Sequence, residues 1–571
     1  MLKRIILLIC GILCTVPHLA VAENPDNRSS VTQNDALEVA VTVTGSGASS
    51  NVIRPMWSYS QEWGRYTQYE QWEGNVHSKV SYHWQNRKNR FSINAGIALE
   101  ANTDRSLTTL HEAYVSGRIW KIGYTFGREA YTPINQHGDL GLGTYLMSDN
   151  ARPVWRAGTG FFDYWAVPGT KNWIEIKGAL FLSPMSDEGV PQYTKDFLLH
   201  EKFAYLRIGH FPVKPYLGLI HSVMMGGTLS SGETIPIDFW ASFFGMGSKK
   251  LRDAGFKGEY YNAAGGHQGM WDLGLDLDFD ILGGSVYYNL LFYDSTSMNV
   301  LKFARNKDFS VGTHLKFKRF KPVREVCVEF MTTCWQGGNG PADPVFISTG
   351  PEKTGEVVSL CQKEVSPETL RKYVSAEWIK DWEKRNGTLN RTNCADLMTE
   401  VQFYGRGNTP DGEPWSWGNR SPYLENGYYP QGWTVNGLST GTPVFLTSTS
   451  MRAVAPDYSF FRRFSNVRMR AYNVGLCGDI VRNFDYRFKF TVTDNFGSLT
   501  EQYYSGIDFD KQRPNYYFGT DKIECYSALW LNYHYKRLTF SLNLAYDFGD
   551  IYRCFSGRLG TRLTFDTRLH N

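Results

Sequence analysis

The 571-residue chain lacks several features that would place it in a common protein class. Beyond its N-terminus no apolar run approaches the roughly 20 residues that a membrane-spanning helix needs, and mean hydropathy is -0.37. A bundle of membrane helices is therefore excluded. Charge of one sign is also lacking. The 60 Lys and Arg face 56 Asp and Glu, for a formal net charge of +4, which gives no electrostatic footprint for nucleic acid. Cysteine is sparse, with 9 residues and no C-x-x-C pair, so neither a zinc ribbon nor a thioredoxin-type motif is supported. No H-E-x-x-H string occurs, and no metal or cofactor site is expected. What is abundant is Gly (55) and aromatic residues (15%), the turn formers and interfacial rings of a chain able to bury surface rather than stay disordered.

Lys3 and Arg4 precede an apolar stretch from Ile5 to Val16, and Ala20-Val21-Ala22 then offers a cleavage site before Glu23. This is the pattern of a secretory leader, so the expected division is a leader over 1–22 and one domain over 23–571. Taking Lys3 and Arg4 from the 60 basic residues leaves 58 against 56 acidic. Seven cysteines remain: Cys327, Cys334, Cys361, Cys394, Cys477, Cys525 and Cys554. An odd number leaves at least one unpaired, and an oxidising compartment would allow a disulfide among Cys334, Cys361 and Cys394.

The informative pattern is strict alternation over about ten residues, repeated many times. Val76, Ser78, Val80, Tyr82 and Trp84 share one face, Asn86-Arg87-Lys88-Asn89 make a turn, and Phe91, Ile93, Ala95, Ile97 and Leu99 resume the alternation. Similar runs span 110–128 with a turn at Trp120-Lys121, 203–224 with a turn at Phe211-Pro212, and 273–293 with a turn at Gly283-Gly284. Others cover 309–317, 467–476, 486–492, 528–535, 538–548 and 559–565. Strands of about ten residues cross a bilayer at a tilt of about 45°. Sandwich strands average about 5 to 6 residues. Short turns on one side and long Gly/Pro-rich loops on the other indicate an all-β, antiparallel transmembrane barrel in the bacterial outer membrane, reached through the periplasm.

In such a barrel apolar residues face lipid and polar residues face the lumen. Leu273, Leu275, Leu277 and Phe279 fit the lipid face, which leaves Asp272, Asp276, Asp278 and Asp280 as an acidic luminal column. Lys316 with Lys318, Arg468 with Arg470, Arg487 with Lys489, and Arg558 with Arg562 form basic columns against apolar partners. Two uses are open to these ladders: to hold or steer a polar polymer or anionic sugar, or to cross-link the strands and plug the lumen. Either makes the interior charged, which argues against a fatty-acid channel.

From about 335 to 433 the strand pattern lapses. Ser366-Pro367-Glu368 is a helix start, and Leu370, Tyr373, Val374, Trp378 and Trp382 follow helical spacing up to Gly387. One amphipathic helix is expected, its apolar face on the barrel mouth or on other loops. After it, Trp415, Trp417, Tyr423, Tyr428, Tyr429 and Trp433 are interleaved with Gly, Asn and Asp. Rings beside amides and carboxylates suit sugars, which stack their C–H faces and hydrogen-bond their hydroxyls. Trp415, Trp417, Tyr428, Tyr429 and Trp433 are accordingly candidate polysaccharide contacts. An ordered loop core or an interface girdle would use the same residues.

Several segments, in order, resemble the Wzi family of capsule assembly proteins. They are Arg54-Pro55-Met56-Trp57-Ser58-Tyr59-Ser60, Trp63-Gly64-Arg65, Leu110-His111-Glu112-Ala113-Tyr114, Gly127-Arg128, Leu199-His200-Glu201-Lys202 and Leu206-Arg207-Ile208-Gly209. The series continues with Gly218-Leu219-Ile220-His221, Asp238-Phe239-Trp240, Gly266-His267-Gln268-Gly269, Asn426-Gly427-Tyr428-Tyr429, Gly432-Trp433-Thr434, Gly441-Thr442-Pro443 and Tyr546-Asp547-Phe548-Gly549-Asp550. The resemblance implies a barrel of roughly 16 to 18 strands that attaches or organises exported capsular polysaccharide at the cell surface, as a monomer in contact with outer-membrane lipid. The chain departs from the family in its longer insert around Leu370 and in Asn289, where a basic residue is more usual.

The resemblance implies binding rather than catalysis, and no catalytic residue is carried over. On regular strands His111-Glu112 and His200-Glu201 would point to opposite faces and could not converge. The rival to a polysaccharide anchor is a diffusion porin for sugars or anionic solutes. The two differ in whether the lumen is open, and the loops and the helix near Trp378 are expected to occlude the mouth.

Overall fold

The computed structural model describes residues 35–567 except 104–108, 136–138, 187–191, 257, 262, 294–307, 335–344, 348–357, 361–365, 395–396, 398–422, 461–462, 499–500 and 502–514. Eighteen strands form its wall. They are β1 (Asp35–Ala48), β2 (Trp72–Gln85), β3 (Phe91–Asn102), β4 (Thr109–Ile119), β5 (Ile122–Arg128), β6 (Trp155–Ala166), β7 (Glu175–Met185), β8 (Phe197–Arg207) and β9 (Val213–Met225). The second half comprises β10 (Gly266–Asp278), β11 (Leu282–Tyr293), β12 (Phe309–Phe317), β13 (Glu325–Thr332), β14 (Arg468–Val481), β15 (Phe484–Gly497), β16 (Lys522–Tyr535), β17 (Leu538–Gly549) and β18 (Cys554–Asp566).

Each strand pairs antiparallel with its chain neighbour, and β1 closes on β18 with Val41 opposite Leu563 and Gly45 opposite Leu559. Closure removes the sheet edge, so backbone polar groups at membrane depth are paired within the wall. β1, β6, β7 and β13 lie outside the runs of alternation noted above. β1, β6 and β7 are interrupted by Gly, as in Thr42-Val43-Thr44-Gly45-Ser46-Gly47, whereas β13 alternates but spans only Glu325–Thr332.

Both chain ends of the barrel, Asp35 and Asp566, lie at the end where the connections are short, such as 86–90, Trp120-Lys121, 208–212, 482–483 and 536–537. The opposite end carries the long connections 49–71, 129–154, 226–265 and 333–467. By the usual layout of such barrels the short turns are periplasmic and the long loops extracellular.

Outward side chains form a lipid band that includes Val43, Val80, Ile97, Val115, Leu217 and Val328. Rings flank it: Trp84, Phe91, Trp120, Trp173, Phe211 and Tyr535 at the short-turn end, and Trp72, Trp155 and Phe555 at the other. Trp72 and Trp84 bracket β2. Twelve steps of about 3.3 Å at a tilt of about 40° span roughly 30 Å, close to the hydrocarbon thickness.

The β10–β11 turn falls at Phe279–Ile281, not at Gly283-Gly284, which both lie within β11. Gly284 (φ +126°) is needed for a close approach instead. A Cβ there would sit 1.9 Å from the His314 carbonyl oxygen across the sheet.

The connection 226–265 folds back over the outside of the wall. It carries the helices α2 (Phe239–Phe244), capped by Asp238, which accepts from Ala241 N–H, α3 (Lys249–Asp253), capped by Ser248, which accepts from Leu251 N–H, and α4 (Gly258–Tyr261). Phe239 and Phe243 stack on the outward ring of His200 at centroid distances of 5.6 and 5.2 Å. Trp240, Phe244 and Met246 stay exposed beside the lipid band.

In the long loop the expected single helix is two, α5 (Pro367–Tyr373) and α6 (Ala376–Asn386). Val374 is extended, and the Ser375 hydroxyl accepts from Trp378 N–H to restart the helix. The apolar face packs within its own segment: Leu370, Val374, Trp378, Ile379, Trp382, Leu389, Cys394 and Leu397 form a separate small core. Isolated helices this short are marginal in water, and turning back on itself supplies the burial. Among the described residues all cysteines, Cys334 and Cys394 included, are free. Cys361 and the leader lie outside the described residues.

At mid-membrane depth a lone charge placed on the outer face of the wall meets hydrocarbon. Ile97→Arg, near the middle of β3, is expected to lower folding stability in lipid vesicles by about 2–4 kcal/mol. Denaturant titration of the refolded barrel checks this, with Ser81→Arg on the luminal face of β2 as a nearly neutral comparison.

Candidate functional site

The functional question is decided by what lies inside the wall. Three segments enter the lumen from the long-loop end: 53–69 with the helix α1 (Met56–Tyr59), 139–153, and 423–446. Their apolar residues, among them Met56, Trp57, Leu142, Leu146, Tyr423, Leu424, Trp433 and Phe445, share one core with luminal residues of the wall such as Phe181, Ile220, Met270 and Met469. The Gly that permit these turns are placed where only Gly fits. Gly432 (φ +61°) would set a Cβ 2.2 Å from the Leu424 carbonyl oxygen, and Gly441 one 2.0 Å from that of Tyr145.

The luminal charges seat these segments. Asp547 Oδ2 accepts from Met56 N–H at 2.6 Å and from the Tyr552 hydroxyl at 2.6 Å. Arg558 donates to the Ser58 carbonyl at 2.8 Å and to Glu62 at 3.1 Å, and its guanidinium lies 3.7 Å from the centroid of Tyr66. Lys489, fully buried, donates to Gln61 and sits 3.3 Å from the Trp57 ring centroid. Arg487 pairs with Asp139 at 2.9 Å. Glu329 accepts from Leu142 N–H and the Tyr287 hydroxyl, while Asn473 donates to the Leu140 carbonyl at 2.8 Å. On the 423–446 side, Trp433 Nε1–H donates to Ser222 Oγ at 2.7 Å, Tyr429 to the Gly226 carbonyl at 3.0 Å, and Tyr423 to Asp308 at 2.6 Å. Charged and neutral donors and acceptors of the wall thus meet backbone groups that an irregular segment cannot pair within itself.

The expected ladders divide in three. Arg487, Lys489 and Arg558 are luminal and contact the plug, and Asp272 is luminal and held within the wall. Asp272 is fully buried and accepts from Tyr205 (3.0 Å), Tyr216 (3.2 Å) and Asn289 (2.9 Å). The departure at Asn289 therefore supplies a neutral donor to a buried carboxyl. Asp276, Asp278, Lys316, Lys318 and Arg562 are luminal but lie toward the short turns, where they pair with wall neighbours: Asp276 with Arg207, Asp278 with Lys214 and Lys318, Lys316 with Glu325, Arg562 with Glu38. Arg562 and Lys316 keep 52% and 53% of their side-chain surface.

The lumen is thus a wet vestibule at the short-turn end and a filled core at the long-loop end. Arg468 and Arg470 are a correction: they share the outward face of β14 with Tyr472 and Val474, and Arg470 pairs with Asp494 at 3.4 Å. Their apolar neighbours Met469 and Ala471 face the plug core rather than lipid, which inverts the usual reading of the alternation. Asp280 lies in the β10–β11 turn, beyond the column.

Of the candidate sugar contacts, Trp415 and Trp417 lie outside the described residues. Tyr429 and Trp433 are buried at 1% and 0% exposure, and half-buried Tyr428 meets Phe256 edge-on at 5.5 Å. These three rings fill the plug.

Some of the segments that resemble the capsule family meet here. Arg54–Ser60, Asn426–Tyr429, Gly432–Thr434 and Gly441–Pro443 belong to the plug, Asp547 accepts from Met56, and Ile220 of Gly218–His221 shares the plug's core, whereas Asp238-Phe239-Trp240 lies on the outside of the wall. Missed from sequence was the string Gly437-Leu438-Ser439-Thr440-Gly441, which spells G-x-S-x-G. Ser439 sits in a two-residue strand, with its hydroxyl accepting from Gly441 N–H at 3.0 Å, and not on the strand-to-helix elbow of a hydrolase.

His111 and Glu112 are a second correction. The β3–β4 register shifts at Ala98/Leu99, and this bulge turns both residues inward. Glu112 pairs with Lys79 at 2.9 Å, and His111 Nε2 lies 3.0 Å from the Trp63 carbonyl oxygen of the plug. His200 and Glu201 do face opposite sides, His200 beneath α2 and Glu201 in a small internal cavity of about 50 Å³ that Arg156 also lines.

Within the plug, burial raises the Asp149 carboxyl to about 6, with nearby Asp139 adding to the rise. Burial also acts to raise Glu62, but Arg558, Arg487 and Arg65 together hold it below the usual range.

No family model matches the chain, and no curated protein matches it. Among solved structures, similar chains include Wzi of Escherichia coli, described as an outer-membrane protein involved in group 1 capsule assembly and a carbohydrate-binding β-barrel. Its identity is 9% and its TM-score 0.47, over 92% of this chain and 84% of that one. OccK3 (OpdO) of Pseudomonas aeruginosa matches at 10% identity and TM-score 0.41, over 94% and 96%. OprD of the same organism matches at 8% and 0.39, over 94% and 96%. Likenesses this distant leave the function to the chain's own geometry.

Two outcomes are expected of the plug. Arg558→Ala removes donors to Ser58 and Glu62 and is expected to cost about 2–3 kcal/mol, read as faster proteolysis of the 53–69 segment while the wall resists. The Asp149 carboxyl, raised on folding, favours the seated plug below about pH 4, and that contribution is lost as pH rises through about 6. Asp149→Asn is expected to flatten this dependence in hydrogen exchange of the plug.

Proposed function

We propose that the protein is a surface anchor that attaches or organises exported capsular polysaccharide, and not a diffusion channel. The observation that carries this reading is the plug, three chain segments seated on buried luminal charges at the extracellular end. A diffusion porin needs a continuous polar path, and here the groups that would line its upper half are used to hold protein. Four of the family-like segments, Arg54–Ser60, Asn426–Tyr429, Gly432–Thr434 and Gly441–Pro443, lie in the plug and support the same reading. An anchor needs a rigid extracellular face rather than a pore, and the seated segments supply a rigid base for the long loops. Trp415 and Trp417, in the longest of these loops, are the proposed sugar-stacking residues. On this reading the chain is exported through the periplasm after loss of residues 1–22.

Two measurements test this. In planar bilayers the purified protein is expected to show no large, stable single-channel conductance; such conductance would replace the anchor with a porin. Deleting the gene is expected to leave polymer synthesis intact and to release capsule into the medium, and unchanged cell-bound capsule would sink the proposal. Locally, Trp415→Ala with Trp417→Ala should weaken polysaccharide binding with the barrel intact. Trp433→Ala is expected to act through stability, by about 3–5 kcal/mol.

A further inference from the structure

We propose that His77, His111 and Glu112 form a divalent transition-metal site, of the zinc type, between the barrel wall and the plug. The three come from two strands that do not neighbour each other in the sheet. His77 is on the luminal face of β2, while His111 and Glu112 are turned inward by the bulge in β4. One ring nitrogen of each His and one Glu112 oxygen lie within 4.8 Å of one another, and the three residues are 9%, 1% and 3% exposed.

The hydrogen bonding points to a ligand. His111 Nε2 faces the Trp63 carbonyl at 3.0 Å, so Nε2–H is the donor and Nδ1 carries the lone pair. His111 Nδ1 has no partner, and neither has His77 Nε2. The rings meet edge to face with centroids 5.2 Å apart. Two buried imidazole nitrogens left without a partner are costly, because each has given up water and gained nothing in return. With His77 in the tautomer that frees Nε2, a divalent cation takes both nitrogens at once. A ligating His whose second N–H is fixed by a backbone carbonyl is also the usual outer-shell arrangement of metal sites.

Two imidazole nitrogens and one carboxylate oxygen suit Zn²⁺, and to a lesser extent Cu²⁺ and Ni²⁺. With metal–ligand bonds of about 2.0–2.2 Å the donor atoms stand roughly 3.3 Å apart, so donor atoms now up to 4.8 Å apart close by up to about 1.5 Å on binding.

Lys79 is the built-in competitor. Its ammonium donates to both oxygens of Glu112, at 2.9 and 3.0 Å. It is the most exposed member of the group at 30%, and it is free to turn into the lumen when a cation takes the carboxylate. Of the other nearby cations, Arg152 is paired with Glu100 at 3.2 Å, and Arg65, which lies near both imidazoles, has its guanidinium 5.3 Å from the Tyr66 ring centroid. Because His111 also holds the Trp63 carbonyl, a bound ion would tie plug to wall.

The test uses the full-length protein folded in detergent micelles, stripped with a chelator and titrated calorimetrically with Zn²⁺. One Zn²⁺ per chain is expected at micromolar Kd or tighter. His77→Ala and His111→Ala should each weaken it at least tenfold, whereas Lys79→Gln, which removes the competing cation, should tighten it. The faster gel mobility of unheated folded barrels verifies each variant. Should the alanine variants fail to fold, Co²⁺ added to the wild-type protein decides. Intense visible bands of four-coordinate, nitrogen-ligated cobalt support the site, and the weak spectrum of the hydrated ion overturns it. No stoichiometric Zn²⁺ uptake by the folded barrel, or uptake unchanged in the folded double variant, equally overturns it.

Discussion

Everything in this molecule depends on the pairing of β1 with β18. A sheet in hydrocarbon cannot leave its edge groups unpaired, so the chain must return to its start with an even number of strands in matching register. Once it does, every wall residue has one of two addresses, lipid or lumen. The lipid address admits only apolar or interfacial side chains. The luminal address is left free for charge, and the uses to which that charge is put distinguish one barrel from another.

Here the charge is spent on holding protein. At the long-loop end, Asp547, Arg558, Lys489 and Glu329 project from the wall onto backbone groups and rings of three incoming segments. Those segments are irregular, rich in Gly and Ser, and could not satisfy their own polar groups in a dry interior. Wall and plug therefore complete each other. Toward the short turns no described segment enters, and the luminal charges pair directly with their wall neighbours. Among the described residues the filled zone therefore lies at the long-loop end.

The bulge at Ala98/Leu99 shows how a small local irregularity changes chemistry. Regular alternation would send His111 to the lipid side. One extra residue in β4 brings it beside Glu112 and His77 instead, under the Trp63 carbonyl. The same logic in reverse applies to Arg468 and Arg470. Their alternation is regular, yet the apolar face of that strand meets a plug rather than lipid.

The sequence by itself determined the barrel. Period-two patterning over strands long enough to cross a bilayer leaves few alternatives, and the tight turns at Trp120-Lys121 and Phe211-Pro212 were legible because turn chemistry is local. The luminal positions of Asp272, Lys489 and Arg558 were legible for the same reason. Only the tertiary structure decided what those residues touch. Trp433 and Tyr429 read equally as sugar platforms or as core, because a ring flanked by Gly and Asn serves either. Their burial follows from contacts with Ser222 and Gly226 some two hundred residues away. The plug, the outward arginines and the His77–His111–Glu112 cluster all arise from contacts between distant segments or from a shifted register, and neither leaves a periodic trace in the chain.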